Sequence, residues 1–305
     1  MKSFAIVGAG AVGSYYGARL AAAGNEVRFL LRSDFDEVSR NGLKVESIHG
    51  DFNLPEVACF RSPEVVGKVD VVIVAWKTTA NDYFEAVIGP MLHEDTIILT
   101  LQNGMGNVER LSELFGLERV LGGMCFVCIN RIKAGVIHHV GGGLIVMGEV
   151  HPASTGRLEA LVEIFEAAEI PCQGAPVLAL VQWRKLVWNI PFNGLCITEG
   201  GITTRDLLAQ DGGEERVRAI MAEVVSIAGA LGYEIPAEFI DDQVEITGPM
   251  GAYRPSSMID FMEGREVELE SIWGEPMRRA KVAGVETPLT DTLYEDLLRT
   301  VSKTH

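Results

Sequence analysis

One polar stripe in the carboxyl-terminal half of the chain combines residue types that could do acid–base chemistry. Lys185, Asn189 and Asn193 recur at intervals of four residues. On a helix each interval advances about 40° around the axis, so the three side chains lie along one face over about 12 Å. Such a stripe either faces solvent or lines a polar cavity. Two short amides beside one lysine, on an otherwise apolar helix, favour the cavity.

A glycine pattern near the start of the chain indicates a second kind of site. Between a predicted strand and a predicted helix, the GxGxxG pattern comprises Gly8, Ala9, Gly10, Ala11, Val12 and Gly13. The first glycine permits a tight turn, the second lets backbone approach a pyrophosphate, and the third allows close helix packing. The helix amino terminus supplies N–H groups for the anion. We therefore predict dinucleotide binding, with a merely structural turn as the alternative.

The residue that follows the second predicted strand indicates whether the protein binds NAD or NADP. About twenty residues beyond the glycines, an NAD-binding protein places an acidic residue that contacts the ribose 2′-hydroxyl. This chain has Arg32 there, and a guanidinium pairs well with a 2′-phosphate. The pattern therefore favours NADP (NADPH). Stacking of Arg32 on adenine, or capping of the sheet, is the alternative.

The elements that position these residues change character along the chain. Short apolar segments alternate with helical patterns over the first 130 residues, which predicts a parallel sheet covered by helices. The predicted strands are 4–7, 26–31, 69–75, 96–101, 120–130, 136–140 and 144–148. Glycine-rich turns are predicted at 133–135 and 141–143. Lys77 and Asn103 follow two of these strands directly, where ligands of open α/β sheets bind, so both are candidates to line the nicotinamide-ribose and substrate side. Ordinary loop polarity is their alternative.

The pattern becomes almost wholly helical after Gln173–Pro176. The predicted helices are 177–198, 213–231, 236–247, 257–283 and 290–302. We predict an α/β fold in which a doubly wound, Rossmann-type NADP-binding domain (residues 1–175) is followed by an all-helical substrate and catalytic domain (residues 176–305).

Composition and charge exclude several classes of protein. The 305 residues carry 26 basic and 42 acidic groups, a net charge of −16, and no basic cluster of the kind that binds nucleic acid. The longest uncharged stretch near the start, residues 3–18, is too short and glycine-rich to span a membrane. Five widely spaced cysteines, an odd number, predict a reducing cytoplasm. We expect no metal, because the single pair Cys125 and Cys128 is a weak zinc signal.

The chain resembles the ketopantoate reductase family over essentially its whole length. The motifs that carry the resemblance, in family order and at close to family spacing, are Gly8–Gly13, Arg32, Lys77, Gln102–Gly106, Lys185 with Asn189 and Asn193, Ser256–Met258 and Val267–Glu270. The resemblance implies a Rossmann-type domain followed by a helical domain, in an enzyme that uses NADPH to reduce a small 2-ketoacid.

The resemblance also implies individual roles. Lys185 matches the family's general acid, and an ammonium group both stabilises a forming alkoxide and supplies its proton. Glu268 matches the family acid that contacts the cofactor ribose and orients the lysine. Asn189, Asn193 and Ser257 match substrate-binding positions, Asn103 matches a residue shared by cofactor and substrate, and Cys128 falls where the family touches the nicotinamide end.

Departures from the family pattern concern the substrate. Thr203 is the closest match to a substrate-binding asparagine, and Arg254 replaces another, where it is able to clamp a carboxylate. The interval from Ser257 to Glu268 is one residue shorter than the family pattern, which predicts a rotated or distorted helix around Glu268.

The resemblance thus predicts a cytoplasmic monomer or homodimer that reduces 2-dehydropantoate to pantoate in pantothenate biosynthesis, binding no nucleic acid or membrane. The alternatives are a reductase of another 2-ketoacid, motivated by Arg254 and Thr203, and a non-catalytic NADPH-binding sensor.

Overall fold

The chain divides into two compact units. The computed structural model describes residues 2–150 and 156–303. The first unit ends at Leu178, and the second begins at Ala179 and also takes Gly104–Gly106. Within the described residues, no helix combines the length and the apolar composition that crossing a membrane requires. The predicted fold class, an α/β sheet domain followed by a helical domain, is confirmed.

The described part of the first unit contains one sheet of ten strands. They are β1 (Ser3–Val7), β2 (Glu26–Leu30), β3 (Leu43–Ser47), β4 (Phe52–Leu54), β5 (Ala58–Phe60), β6 (Val71–Val74), β7 (Ile97–Thr100), β8 (Val120–Lys133), β9 (Val136–Glu149) and β10 (Cys172–Ala175). Their order is β4-β3-β9-β8-β7-β6-β1-β2-β5, and β10 pairs with β9. The six strands from β8 to β5 in this order are parallel.

The central strands are apolar on both faces. Phe4 and Ile6 of β1 pack into one hydrophobic cluster, and the alternating Ala5 and Val7 pack into another. Because successive side chains of a strand point to opposite faces, both faces of this sheet need a covering layer. The α-helices in the described part of the first unit are α1 (Ala11–Ala22), α2 (Phe35–Asn41), α3 (Pro63–Val66), α4 (Phe84–Ile88), α5 (Asn107–Phe115) and α6 (Arg157–Ala167), and short 3₁₀ helices cover Thr78–Tyr83, Gly89–Met91 and Leu117–Arg119.

The strand order reverses between β1 and β6. From β1 the chain passes through α1 to β2 on one side, and it later returns to form β6 on the other side of β1. In open α/β sheets, ligands bind beyond the carboxyl ends of the strands at such a reversal. The topology therefore places the expected ligand site beyond Val7 and Val74.

The prediction of a turn at 141–143, separating two strands, is wrong. β9 runs unbroken from Val136 to Glu149, with Gly142 opposite Val127 and Leu144 opposite Phe126. Gly143, at φ +124°, is the extra residue of a β-bulge. A bulge needs the same backbone freedom as a turn, which is why glycine marks both.

All the regular secondary structure among the described residues of the second unit is helical. Its elements are α7 (Leu178–Thr198), α8 (Thr204–Leu208), α9 (Gly213–Ala230), α10 (Glu238–Thr247), α11 (Ser256–Met262), the π-helix Glu270–Gly274, α12 (Glu275–Ala283) and α13 (Pro288–Ser302). Trp183, Phe192 and Trp273 are fully buried in its core. The prediction of one helix over 257–283 is wrong, because α11 ends at Met262 and residues 265–268 are irregular.

Candidate active site

The glycine loop is fixed by backbone contacts that only glycine allows. Gly8 has φ +93°, and a Cβ at this position would lie 2.2 Å from the backbone nitrogen of Trp76, which follows β6. A Cβ at Gly13 would lie 2.4 Å from the carbonyl oxygen of Gly8. The N–H of Gly10 donates to that same oxygen at 2.8 Å. The loop is therefore pressed against the point where the sheet reverses.

The amino terminus of α1 fits a pyrophosphate. A Cβ built at Gly10 would meet no atom within 4 Å, so the space beside its backbone is open. No acidic residue occupies the first turn of α1, and its N-cap makes no side-chain hydrogen bond within the described residues. The first N–H groups of a helix lack intrahelical acceptors, and an anion satisfies them. The predicted loop residues Ala9, Ala11 and Val12 lie in this segment.

Arg32 lies just beyond β2, where its side chain is exposed. Its guanidinium makes no hydrogen bond or salt bridge with another described residue, so the charge is available to a ligand. Asp34, two residues later, is buried and accepts from Arg131 at 2.6 Å and from the Ser33 hydroxyl at 2.8 Å. Sequence reasoning missed Asp34. Asp34 is an acidic residue close to the position where NAD-binding proteins contact the ribose, and this position was a signal in the sequence. Its ion pair with Arg131 depends on the tertiary fold.

Two loops that follow neighbouring strands carry the other predicted cofactor residues. Lys77 follows β6 and Asn103 follows β7, and both are half-buried. β6 pairs with β7 in parallel, from Val71 with Ile97 to Val74 with Thr100. The structure therefore brings the two loops to the same edge of the sheet, beside the glycine loop.

Cys128 lies on β8 opposite Gly141, six residues beyond Gly122, which pairs with the last residue of β7. Six residues of extended strand span about 20 Å. The place of Cys128 at the nicotinamide end of the cofactor site stays a prediction.

Two other cysteines are buried in the protein. Burial raises the pKa of the Cys172 and Cys196 thiols to about 12, so these two sulfurs stay protonated and unreactive.

The predicted polar stripe of the second unit lies on α7, as expected. Lys185 is half-buried, whereas Asn189 and Asn193 are buried. The side-chain amide of Asn189 makes no hydrogen bond with another described residue, which leaves it available to a ligand. Two of the three stripe residues, Asn189 and Asn193, are therefore buried in the protein rather than exposed to solvent.

Asn193 joins α7 to α11. Its Oδ1 accepts from the N–H of Ser257 at 2.9 Å, and its Nδ2 donates to the carbonyl of Asn189 at 3.1 Å. Asn193 is 1% exposed and Ser257 3%, so this amide caps the start of α11 from another helix. The structure therefore brings the predicted residues Asn189, Asn193 and Ser257 together. The side-chain amide of Asn193 is already hydrogen-bonded to the backbone of the other two.

Glu268 lies two residues before the π-helix Glu270–Gly274 of the second unit. It is 9% exposed, and its carbonyl accepts from the N–H of Ile272 at 3.2 Å at the start of the π-helix. The indole of Trp273 donates to the carbonyl of Ile190 at 3.1 Å, which docks the π-helix on α7 beside the polar stripe. Single π-helical turns recur at functional sites. Glu268 itself lies outside the π-helix, in the irregular segment before it, so a rotated helix carrying Glu268 stays a prediction.

The departures Thr203 and Arg254 also lie close together. Thr203 caps α8, accepting from the N–H of Asp206 at 3.2 Å while Asp206 accepts from Thr203 in return. The N–H of Thr204 donates to the carbonyl of Tyr253 at 3.0 Å, which holds the segment of Arg254 beside this cap. The hydroxyl of Thr203 is thus engaged in the cap, whereas the exposed guanidinium of Arg254 bonds to no other described residue.

The two units therefore carry complementary chemistry. The first unit combines an open helix terminus with an available arginine, which suits a phosphorylated dinucleotide. The second unit combines a lysine and an available amide on α7 with a buried carboxylate, Glu268, in an irregular segment. A proton donor and polar groups of this kind suit the reduction of a carbonyl or its reverse.

Comparisons with known proteins cover both units. The family model described as Ketopantoate reductase PanE/ApbA matches residues 4–152, and that described as Ketopantoate reductase PanE/ApbA C terminal matches residues 178–301.

Individual relatives agree with the family models. The chain is 40% identical to a 2-dehydropantoate 2-reductase of Nostoc sp., over 97% of this chain and 94% of that protein. A crystal structure of 2-dehydropantoate 2-reductase from Geobacter metallireducens superposes with a TM-score of 0.96 at 45% identity, covering 97% of this chain and 99% of that one. The corresponding enzyme structure from Methylococcus capsulatus gives a TM-score of 0.90 at 29% identity, over 99% and 97%. The chain is an oxidoreductase acting on a CH–OH group, and it belongs to the ketopantoate reductase family.

Proposed function

We propose that this protein reduces 2-dehydropantoate to pantoate with NADPH, as a step of pantothenate biosynthesis. The observation that carries the proposal is the 40% identity to a 2-dehydropantoate 2-reductase over nearly the whole of both chains. The two units agree with it in chemistry. Their residues supply an anion-binding loop, a cation for a 2′-phosphate, and a lysine beside amides for a ketoacid.

The cofactor is a dinucleotide held by the first unit. Gly8, Gly10 and Gly13 shape the loop, and the free N–H groups of α1 bind the pyrophosphate. Arg32 pairs with the 2′-phosphate, because its guanidinium is exposed and uncommitted. Lys77 and Asn103 bind at the nicotinamide-ribose end. When bound, the dihydronicotinamide supplies the hydride for the keto carbon.

The second unit supplies the proton. Lys185 donates a proton from Nζ to the carbonyl oxygen as negative charge develops there, and its positive charge stabilises that oxygen beforehand. Glu268 orients the lysine and contacts the ribose. Asn189 binds the ketoacid through its available amide, and Asn193 holds Ser257 in place through the bond to its N–H.

Reduction of a different 2-ketoacid is the second candidate, and Arg254 favours it. Its guanidinium is exposed and uncommitted among the described residues. A guanidinium binds carboxylates in a bidentate fork, so an acid with a second carboxylate would gain from it.

The test is NADPH oxidation, followed by absorbance, with ketopantoate and a panel of other 2-ketoacids at equal concentration. We expect the kcat/KM for ketopantoate to exceed that of every other acid. Preference for another acid would keep the reductase chemistry and overturn the substrate. No turnover with any acid, despite tight NADPH binding, would support the sensor instead.

A further inference from the structure

A chain of side-chain hydrogen bonds joins the two loops that follow β6 and β7. Asn81 lies at its centre, where its Oδ1 accepts from Gln102 Nε2 at 2.8 Å and from Trp76 Nε1 at 3.3 Å. Its Nδ2 donates to Asn107 Oδ1 at 2.8 Å. Asn107 Nδ2 donates in turn to the carbonyl of Asn103 at 3.0 Å. One asparagine thus connects the loop of Lys77 to the loop of Asn103.

The direction of these bonds is set by groups that have a single role. The indole N–H of Trp76 only donates, so Asn81 presents its oxygen to it. The carbonyl of Asn103 only accepts, so Asn107 presents its NH₂ group to it. The Nδ2 of Asn81 therefore faces the Oδ1 of Asn107, and neither amide can flip without setting like groups against each other.

The network is also largely buried. Gln102 is 4% exposed and Asn107 3%. Gln102 donates a second bond to the carbonyl of Trp76 at 3.2 Å, and its Oε1 accepts from the hydroxyl of Thr100 at 2.9 Å. A buried amide that loses its partner is costly, because water cannot replace it. The closed network therefore holds the two loops at one fixed separation.

We propose that Asn81 is a positioning residue for the nicotinamide end of the cofactor site. The inference rests on the proposed function, in which Lys77 and Asn103 bind that end. Asn81 acts through other residues, since it fixes the Asn103 loop through Asn107 and the Lys77 loop through Trp76. Among the described residues, the network meets the glycine loop through the backbone of Trp76, which packs against Gly8, and it makes no hydrogen bond to Arg32. The adenosine end of the site should therefore depend on Asn81 much less than the nicotinamide end does.

The test separates the two ends of the ligand. Dissociation constants are measured by calorimetry for NADPH and for 2′-phospho-ADP, which has the same phosphates and adenosine but neither the nicotinamide nor its ribose. For Asn81→Leu we expect NADPH to bind about tenfold more weakly, as for a lost hydrogen-bond network. The fragment should bind within about twofold of wild type. Asn81→Asp should be at least as damaging, because it cannot donate to Asn107.

The network also has a readout that needs no cofactor. Hydrogen exchange of the Trp76 indole N–H, assigned by comparison with Trp76→Phe, should be faster in Asn81→Leu than in wild type. Asn107→Leu interrupts the same network one bond further along, and it serves where the Asn81 variants do not fold. Asn107→Leu should weaken NADPH binding about as much as Asn81→Leu does, and it should leave binding of the fragment nearly unchanged.

Thr96→Val is the matched control. Thr96 is buried at the opposite end of β7, where its hydroxyl donates to the carbonyl of Val69 at 2.7 Å and accepts from the N–H of His93 at 2.9 Å. It should lower the melting temperature with NADPH affinity unchanged. Equal weakening of NADPH by Thr96→Val, or equal loss of fragment and NADPH in Asn81→Leu, would overturn the proposal. A wild-type protein that binds neither ligand would instead overturn the proposed function on which it rests.

Discussion

The two units hold their candidate site residues by different means. The glycine loop of the first unit takes its shape mainly from contacts within a few residues, since Gly10 bonds back to Gly8 and a side chain at Gly13 would strike the same carbonyl, and Gly8 then packs on the backbone of Trp76. In the second unit, Asn193 reaches Ser257 across 64 positions of the sequence, and Trp273 docks on Ile190 across 83. Local backbone geometry shapes the cofactor loop, whereas helix packing assembles the other set.

This difference predicts how each unit responds to substitution. A change at an exposed cofactor residue of the first unit should alter binding and leave folding intact. A change at a buried amide of the second unit should lower stability where the amide bonds to another helix, as at Asn193, and should weaken substrate binding where it bonds to no described side chain or backbone group, as at Asn189. The variants below test that contrast, beginning with the largest expected effect.

Lys185→Ala should lower kcat by about a thousandfold, within the range by which a general acid accelerates a reaction. NADPH affinity should change little, because the lysine acts on the substrate oxygen. Single-turnover kinetics and a separate binding titration measure the two quantities. Arg184→Ala removes the cation next to Lys185 on α7, whose guanidinium carbon lies 5.7 Å from the centre of the Phe239 ring of α10. This variant should keep near-normal turnover. Near-normal turnover in Lys185→Ala would remove the lysine from the acid role.

Arg32→Glu should weaken NADPH binding by about 10 to 100 fold, the value of one charge-assisted contact. NADH binding should change much less, because NADH has no 2′-phosphate. The melting temperature should stay the same, since the Arg32 side chain is exposed. Dissociation constants for both cofactors provide the measurement.

Arg40→Glu is the control for charge. It makes the same exchange on α2, where Arg40 donates to the carbonyl of Asp36 at 2.7 Å, and it should affect both cofactors alike. An equal loss of NADPH and NADH in Arg32→Glu would show that Arg32 does not contact the 2′-phosphate.

Local features of the fold were predictable from the sequence. The GxGxxG motif, the buried parallel strands and α7 follow from residue types at short spacing, and the structure confirms the elements. The glycines at 141–143 fit a turn and a β-bulge equally well, because both need glycine. The pairing of β9 with β8 shows that the structure has a bulge there. The roles of the individual site residues remain predictions.

Contacts between distant residues were not predictable. Asn81, Gln102 and Asn107 resemble ordinary loop and turn residues until β6 and β7 pair and bring them together. Thr203 is predicted to bind substrate because of its position, whereas its hydroxyl caps α8. That contact is local, and the spacing of Thr203 and Asp206 resembles a capping box, so the sequence did carry a signal for it. For the amide network, by contrast, the deciding contacts are made by side chains that meet only in the packed structure.

Asn193→Leu and Asn189→Leu should separate structural from ligand-binding amides on one helix. Loss of Asn193 leaves the buried N–H of Ser257 unpaired, which should cost about 1–3 kcal/mol of unfolding free energy. Asn189→Leu removes no hydrogen bond between described residues, so it should raise the KM for the ketoacid and change stability less. Urea denaturation followed by tryptophan fluorescence reports mainly on the second unit, since Trp183, Trp188 and Trp273 lie there. Equal losses of stability would contradict the distinction.

The smallest expected effect is a difference between the units in acid. His139 is buried between Tyr15 and His49, and burial lowers its pKa below the ordinary 6.5. Because the unfolded chain takes up a proton there that the folded chain does not, the unfolding free energy of the first unit should fall as pH drops below 6.5. In the second unit, hydrogen bonds from Tyr294 and Arg278 lower the pKa of Glu270 below its ordinary 4.5. That contribution is lost only in stronger acid.

The first unit should therefore weaken first as the pH is lowered from 7 to 5, and His139→Gln should reduce that dependence. His138→Gln, at the exposed neighbouring position, should leave it unchanged. Urea midpoints at several pH values measure the effect, with hydrogen exchange in β1 reporting on the first unit. Because the side chain of Glu270 is 66% exposed, water weakens its bonds, and Glu270→Gln should shift the midpoint only slightly and only below about pH 4.5. A pH dependence that survives His139→Gln would assign the acid sensitivity to other groups.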